Sequence, residues 1–143
     1  MAANDWLVWA LLSAVFAALT AIFAKVGLAG IDADFATLVR TVVILLVLAV
    51  FVVVAGKWRD PRTLSAKALG FLVLSALATG ASWVCYFRAL KVGDAAKVAP
   101  VDKLSVVLVA IFATVFLHER PSLTAWMGIG LVGVGVAILS LSR

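Results

Sequence analysis

Apolar runs of about twenty residues alternate with short polar stretches along this chain. A helix rises about 1.5 Å per residue, so crossing about 30 Å of hydrocarbon takes about 20 residues. Five runs reach that length, at about 6–25, 35–56, 66–90, 95–117 and 123–141. Turn residues separate them: Gly27, Gly30, Asp32 and Asp34; then Lys57-Trp58-Arg59-Asp60-Pro61-Arg62; then Gly93-Asp94; then His118-Glu119-Arg120-Pro121. The runs are continuous rather than alternating, which excludes a β-barrel. In lipid every backbone N–H and C=O must be paired inside its own segment, which leaves helices. The pattern predicts an all-α, polytopic membrane protein with five transmembrane helices in a single domain over residues 1–143. The centre of the second run, 42–54, is bulky and featureless, as a lipid-facing surface is.

Composition agrees. The 143 residues are 66% hydrophobic and 13% charged, where a soluble domain has about a quarter charged residues and under half apolar ones. The net charge of +5 is not a nucleic-acid signal. Its basic residues flank the apolar runs as membrane anchors and form no dense patch with aromatic partners. Trp6, Trp9, Trp58 and Trp126 stand near span ends, where interfacial tryptophans sit. The lone Cys85 makes no internal disulfide. Residues 1–5 carry no Lys or Arg, and the apolar run after them is too long for a secretory h-region, so it reads as the first span rather than a cleaved signal. The expected location is the cell (inner or plasma) membrane, multi-pass.

Orientation follows from basic residues in the loops. One side holds Lys57, Arg59, Arg62, Lys67 and Arg120; the other holds Lys25, Arg88, Lys91, Lys97 and Arg143. The dense 57–67 cluster favours N-in and C-out, while the equal count keeps insertion both ways open.

Polar residues inside the spans are the candidates for function, because an ionisable group at mid-membrane costs about 2.5–3.5 kcal/mol on insertion scales. Lys103 lies about 12 Å into the fourth span at helical rise, with Asp102 beside it and Pro100 one turn before. Ala96, Pro100, Lys103, Val107, Ala110 and Thr114 share one small or polar face. Lys103 with Asp102 fits a substrate- or proton-coupling pair; it also fits a snorkelling lysine with a local carboxylate. Ser75, Thr79, Ser82 and Tyr86 recur at helical spacing in the third span, with Trp83 close by. They suit either a permeation path, with Trp83 stacking a substrate ring, or interhelical hydrogen bonding at about 0.6 kcal/mol per contact. The first span stacks Ser13, Ala17, Thr20 and Ala24 for helix packing. Arg40, about a turn and a half into the second span, is expected to snorkel or pair with Asp32 or Asp34 rather than contact substrate. Gly128, Gly130 and Gly133 spell GxGxxG, but no strand precedes them, so they serve helix packing and not dinucleotide binding. No catalytic constellation, metal-ligand cluster or cofactor motif emerges, and no enzyme activity is expected.

The stretch YFRALKVGDAAKVAPVDKLSVVLVAIFATVFLHERPS, residues 86–122, resembles the EamA-type domain of the drug/metabolite transporter superfamily. The features shared are an aromatic-rich end of the third span, Ala89-Leu90, a small-residue turn, Glu119 closing the fourth span and the glycine-rich last span from Gly128 to Gly135. Lys25 and Arg40 match as well, and the likeness covers nearly the whole chain. Three features depart from the common pattern: Val15-Phe16 replaces Trp-Gly, His118 stands where Gly is usual, and Asp102-Lys103 is similar to a bacterial and archaeal five-span subgroup. Most relatives carry ten spans in two inverted units; this sequence has one unit and no internal repeat. The resemblance implies a small-molecule transporter or exporter in the bilayer, working as a homodimer by alternating access. An antiparallel pair of chains would recreate the inverted repeat. The alternative is a non-transporting membrane subunit or assembly partner.

Overall fold

A computed structural model describes residues 5–141. It contains six α-helices: α1 (Asp5–Gly27), α2 (Ala33–Val54), α3 (Ala66–Val92), α4 (Ala95–Asp102), α5 (Ser105–Phe116) and α6 (Leu123–Leu141). A single 3₁₀ turn, Pro61–Thr63, lies between α2 and α3. With α4 and α5 taken together as Ala95–Phe116, five helical segments are long and apolar enough to cross a membrane. Among the described residues there is no strand. The fold class is all-α, as the apolar pattern predicts.

Side-chain caps set several boundaries. Asp32 Oδ1 accepts from the N–H groups of Asp34 and Phe35, both at 3.0 Å, and starts α2. Ser65 Oγ and Ser122 Oγ accept from Ala68 N and Ala125 N at 3.2 Å and start α3 and α6. Each such cap stabilises its helix by about 1 kcal/mol. Gly56, at φ +63°, lets the chain leave α2 in the left-handed region. Asp60 caps the 3₁₀ turn by accepting from Arg62 N at 2.9 Å.

The fourth span differs from expectation. The sequence reads as one helix over 95–117; the structure breaks it at Lys103-Leu104. Pro100 lies inside α4 and lacks the N–H that would bond the Ala96 carbonyl. Immediately after it the ladder tightens. Lys103 N–H bonds Pro100 O at 2.9 Å, Leu104 N–H bonds Val101 O at 3.0 Å, and Val106 and Val107 bond Lys103 O and Leu104 O, both at 3.0 Å. These are i→i−3 bonds, the geometry of a short 3₁₀ insert in an α-helix.

The chain divides into two compact units. One is Phe23–Val92; the other takes in the described residues before Phe23 and those from Gly93 onward. In the first unit α2 packs along α3, and Leu28, Ala33, Thr37, Phe87 and Leu90 are buried. In the second unit α6 packs against α4 and α5, and Ala21, Ala110 and Val136 are buried. Most large apolar side chains are exposed; Val47 and Phe51 are each 61% exposed. Water would penalise that surface and lipid does not, so the spans need little interior of their own.

Candidate functional site

The Phe23–Val92 unit concentrates charge where α1 ends, α2 begins and α3 ends. Arg88 grips Asp34 through two parallel bonds, Nε to Oδ1 at 2.8 Å and Nη2 to Oδ2 at 2.6 Å. A fork of this kind is the strongest form of such a pair. Lys91 Nζ donates to Leu28 O at 2.8 Å and Ile31 O at 2.6 Å, and Lys25 Nζ donates to Leu90 O at 2.7 Å. Leu90 O lies in the last turn of α3, where carbonyls lack helical donors and carry partial negative charge, and Lys25 satisfies both needs there. Lys91 bridges two carbonyls of the turn between α1 and α2, where Leu28 O also accepts from Ile31 N–H at 3.3 Å. Lys25, Arg88 and Lys91, all on this side of the orientation count, therefore have structural partners. Arg143, on the same side, lies outside the described residues. Opposite them in the count, Lys57, Arg59, Arg62, Lys67 and Arg120 make no ion pair with a described residue.

Arg40 does not pair with Asp32 or Asp34, one of the two arrangements the sequence suggests. Asp34 is taken by Arg88 and Asp32 by the start of α2. The Arg40 guanidinium instead lies 4.3 Å from the Trp83 ring centroid and 5.2 Å from that of Phe87. A planar guanidinium stacks well on such faces.

Beside Trp83, α2 and α3 form an open groove of about 690 Å³. Thr37, Thr41, Ser75, Thr79 and Asp34 are its polar lining; Leu38, Leu45, Leu72 and Trp83 are among its apolar walls. The hydroxyls of Thr37, Thr41 and Thr79 donate to the carbonyls of Ala33, Thr37 and Ser75 at 2.8, 2.7 and 2.9 Å. Their protons are committed, so they offer the groove oxygen lone pairs. Of the hydroxyl face expected in the third span, Ser75 and Thr79 line this groove, with Trp83; Ser82 and Tyr86 do not. Tyr86 sits edge-on to Phe87 with ring centroids 6.4 Å apart.

The other unit holds the remaining candidates. Lys103 lies at the break between α4 and α5, and its Nζ is 3.2 Å from Asp102 Oδ2. The Lys103 side chain is 54% exposed and that of Asp102 35%. Along the expected stripe, Ala110 is buried, Pro100, Val107 and Thr114 are half-buried, and Ala96 is exposed. Gly133 meets this face: a Cβ there would lie 3.5 Å from Val107 Cγ2, whereas Gly128 and Gly130 face open space. All three glycines lie inside α6.

Sequence reasoning missed the Arg40–Trp83 stack and the Asp34–Arg88 fork. Trp83 and Phe87, four apart on one helix face, were the available signal for the first. The second joins residues 54 positions apart, which spacing does not reveal.

Comparison with known proteins gives a consistent result. A family model described as "EamA-like transporter family" matches residues 4–141. An "Uncharacterized transporter in cobO 3'region" of Sinorhizobium sp is 56% identical over 138 residues, covering 96% of this chain and 98% of its own length. No solved structure matches the chain significantly.

Proposed function

Because this chain belongs to the EamA-like transporter family, we propose that it carries a small drug or metabolite across the cell (inner or plasma) membrane as a homodimer by alternating access. The observation that carries the proposal is the interrupted fourth span with Lys103 at the interruption. Broken membrane helices are favourable only where protein or a water-filled cavity surrounds the irregular backbone, and transporters use them to build ion and substrate sites. Lys103 and Asp102 serve here as the substrate- or ion-coupling pair. Pro100 is the hinge, and Gly133 gives α6 its close approach to Val107. Ser75, Thr79 and Trp83 form one wall of a substrate path. Ser82 and Tyr86 stand off the groove and have no role in this scheme, and neither do Gly128 and Gly130. The chain performs no bond-making chemistry.

Pairing of identical chains supplies the second half that alternating access needs. Two features support it: the candidate spans number five, and the Sinorhizobium transporter is covered over 98% of its length by this one unit. An odd number of spans makes an antiparallel pair equivalent to an inverted repeat, and the equal loop cation count suits insertion both ways. A screen of amines, organic acids and dyes in proteoliposomes with an imposed pH gradient tests transport. Gradient-dependent movement of at least one class supports it. Inertness across the screen, with a different protein co-purifying in fixed ratio, favours a non-transporting subunit. A C-terminal topology reporter that gives signal from one compartment alone rules out the antiparallel pair.

A further inference from the structure

An arginine has five N–H donors, no acceptor, and stays charged. Arg40 Nη1 is buried with no hydrogen-bond partner, and no carboxylate among the described residues pairs with the side chain. A cation inside a span without a counter-charge is unfavourable. The stack on Trp83 and Phe87 holds the guanidinium in place but satisfies none of its N–H groups. Trp83 is common to this stack and to the adjoining groove. The groove's volume falls within the range of small-molecule sites, about 300–1,000 Å³. Its threonine hydroxyls have given their protons to carbonyls, so they do not compete with Arg40 for an acidic group.

We infer that Arg40 and Trp83 form the seat for a soluble organic monoanion with a flat apolar body. The carboxylate reaches the guanidinium from the Trp83 end of the groove, whose lining does not itself include Arg40, and the apolar body lies along Trp83 and the leucines of α2 and α3. Asp34 also lines the groove but is already held by Arg88, so Arg40 is the cation at hand and it suits a single acidic group. The inference deepens the transport proposal by naming its substrate class, and binding is measured apart from transport so that either can fail alone.

The test uses purified full-length protein in nanodiscs of zwitterionic lipid, with 2-naphthoate as probe and 2-naphthamide as its uncharged counterpart, followed by titration calorimetry. The wild type binds naphthoate saturably and naphthamide at least about tenfold more weakly, as loss of a charge-assisted hydrogen bond implies. Arg40→Gln loses naphthoate binding, Arg40→Lys keeps part of it, Trp83→Leu weakens it, and Arg62→Gln leaves it unchanged. Equal binding of the two probes, wild-type affinity in Arg40→Gln, or no saturable naphthoate binding up to millimolar concentration overturns the inference. The probe comparison is made on the wild type and stands even if a variant fails to fold. Phosphatidylglycerol in the nanodisc should not displace naphthoate; displacement would show that a lipid headgroup occupies Arg40 and would also overturn it.

Discussion

Replacing Pro100 with Ala tests whether the break in the fourth span is a working part. Pro100 lies one turn inside α4 and leaves the Ala96 carbonyl without its i+4 donor. Alanine restores that N–H, a bond with a net contribution of about 1 kcal/mol. The full intrinsic difference between Pro and Ala inside a helix is about 3 kcal/mol. Pro100→Ala should therefore stabilise the protein by about 1–3 kcal/mol. The i→i−3 bonds of Lys103, Leu104, Val106 and Val107 should relax toward i→i−4, and amide exchange there should slow. If Lys103 works from an irregular backbone, transport falls although stability rises. Thermal unfolding followed by size exclusion, alongside initial transport rates, reads both quantities. A variant that is more stable and fully active would show the break to be idle. A variant that is less stable would show that Pro100 does not strain the helix.

Three further perturbations bear on the same account. His118 sits at φ +56° where α5 ends, with Glu119 N–H reaching Ala113 O at 3.2 Å. Left-handed backbone costs a side-chain-bearing residue about 1–2 kcal/mol, and glycine loses about 0.5–1 kcal/mol more entropy on folding. His118→Gly should thus raise the unfolding midpoint slightly and His118→Val lower it; the reverse order would contradict the local geometry. Gly133→Leu should destabilise by about 1–3 kcal/mol through overpacking on Val107, while Gly128→Leu is tolerated; equal thermal shifts would remove the proposed contact. In a Cys85→Ser background, cysteines at Ser75 and Thr79 should react with a small aqueous thiol reagent faster than one at Val47, and equal labelling would argue against a wetted groove.

The spans were legible because crossing a bilayer is a requirement of length and composition, which hydropathy measures directly. The starts of α2, α3 and α6 were legible in principle, since Asp32, Ser65 and Ser122 are capping residue types at the edges of apolar runs. The break at Lys103 was only half legible. Pro100 marked the place, but the apolar run continues through it, and hydropathy does not distinguish i→i−3 from i→i−4 bonding. Arg40 shows a different limit. Asp34 is its nearest carboxylate along α2, yet Arg88 reaches that carboxylate with a better fork from the far end of α3. Spacing alone puts Ser75, Thr79, Ser82 and Tyr86 on one face of α3. The groove between α2 and α3 is lined on the α3 side by Leu72, Ser75, Thr79 and Trp83 among others, and one helix's spacing does not say which of two overlapping faces lies beside its neighbour. The partners of Lys25, Arg88 and Lys91 are likewise invisible in a loop-cation count, because they lie about 54 to 65 positions away along the chain.

Lys103→Met is the most direct test of the central claim. In proteoliposomes under a pH gradient, with a substrate identified by the screen, this variant should insert and purify like the wild type. Its transport should fall by at least about tenfold, the loss expected when a charge-assisted contact is removed. A wild-type transport rate from Lys103→Met would contradict the account.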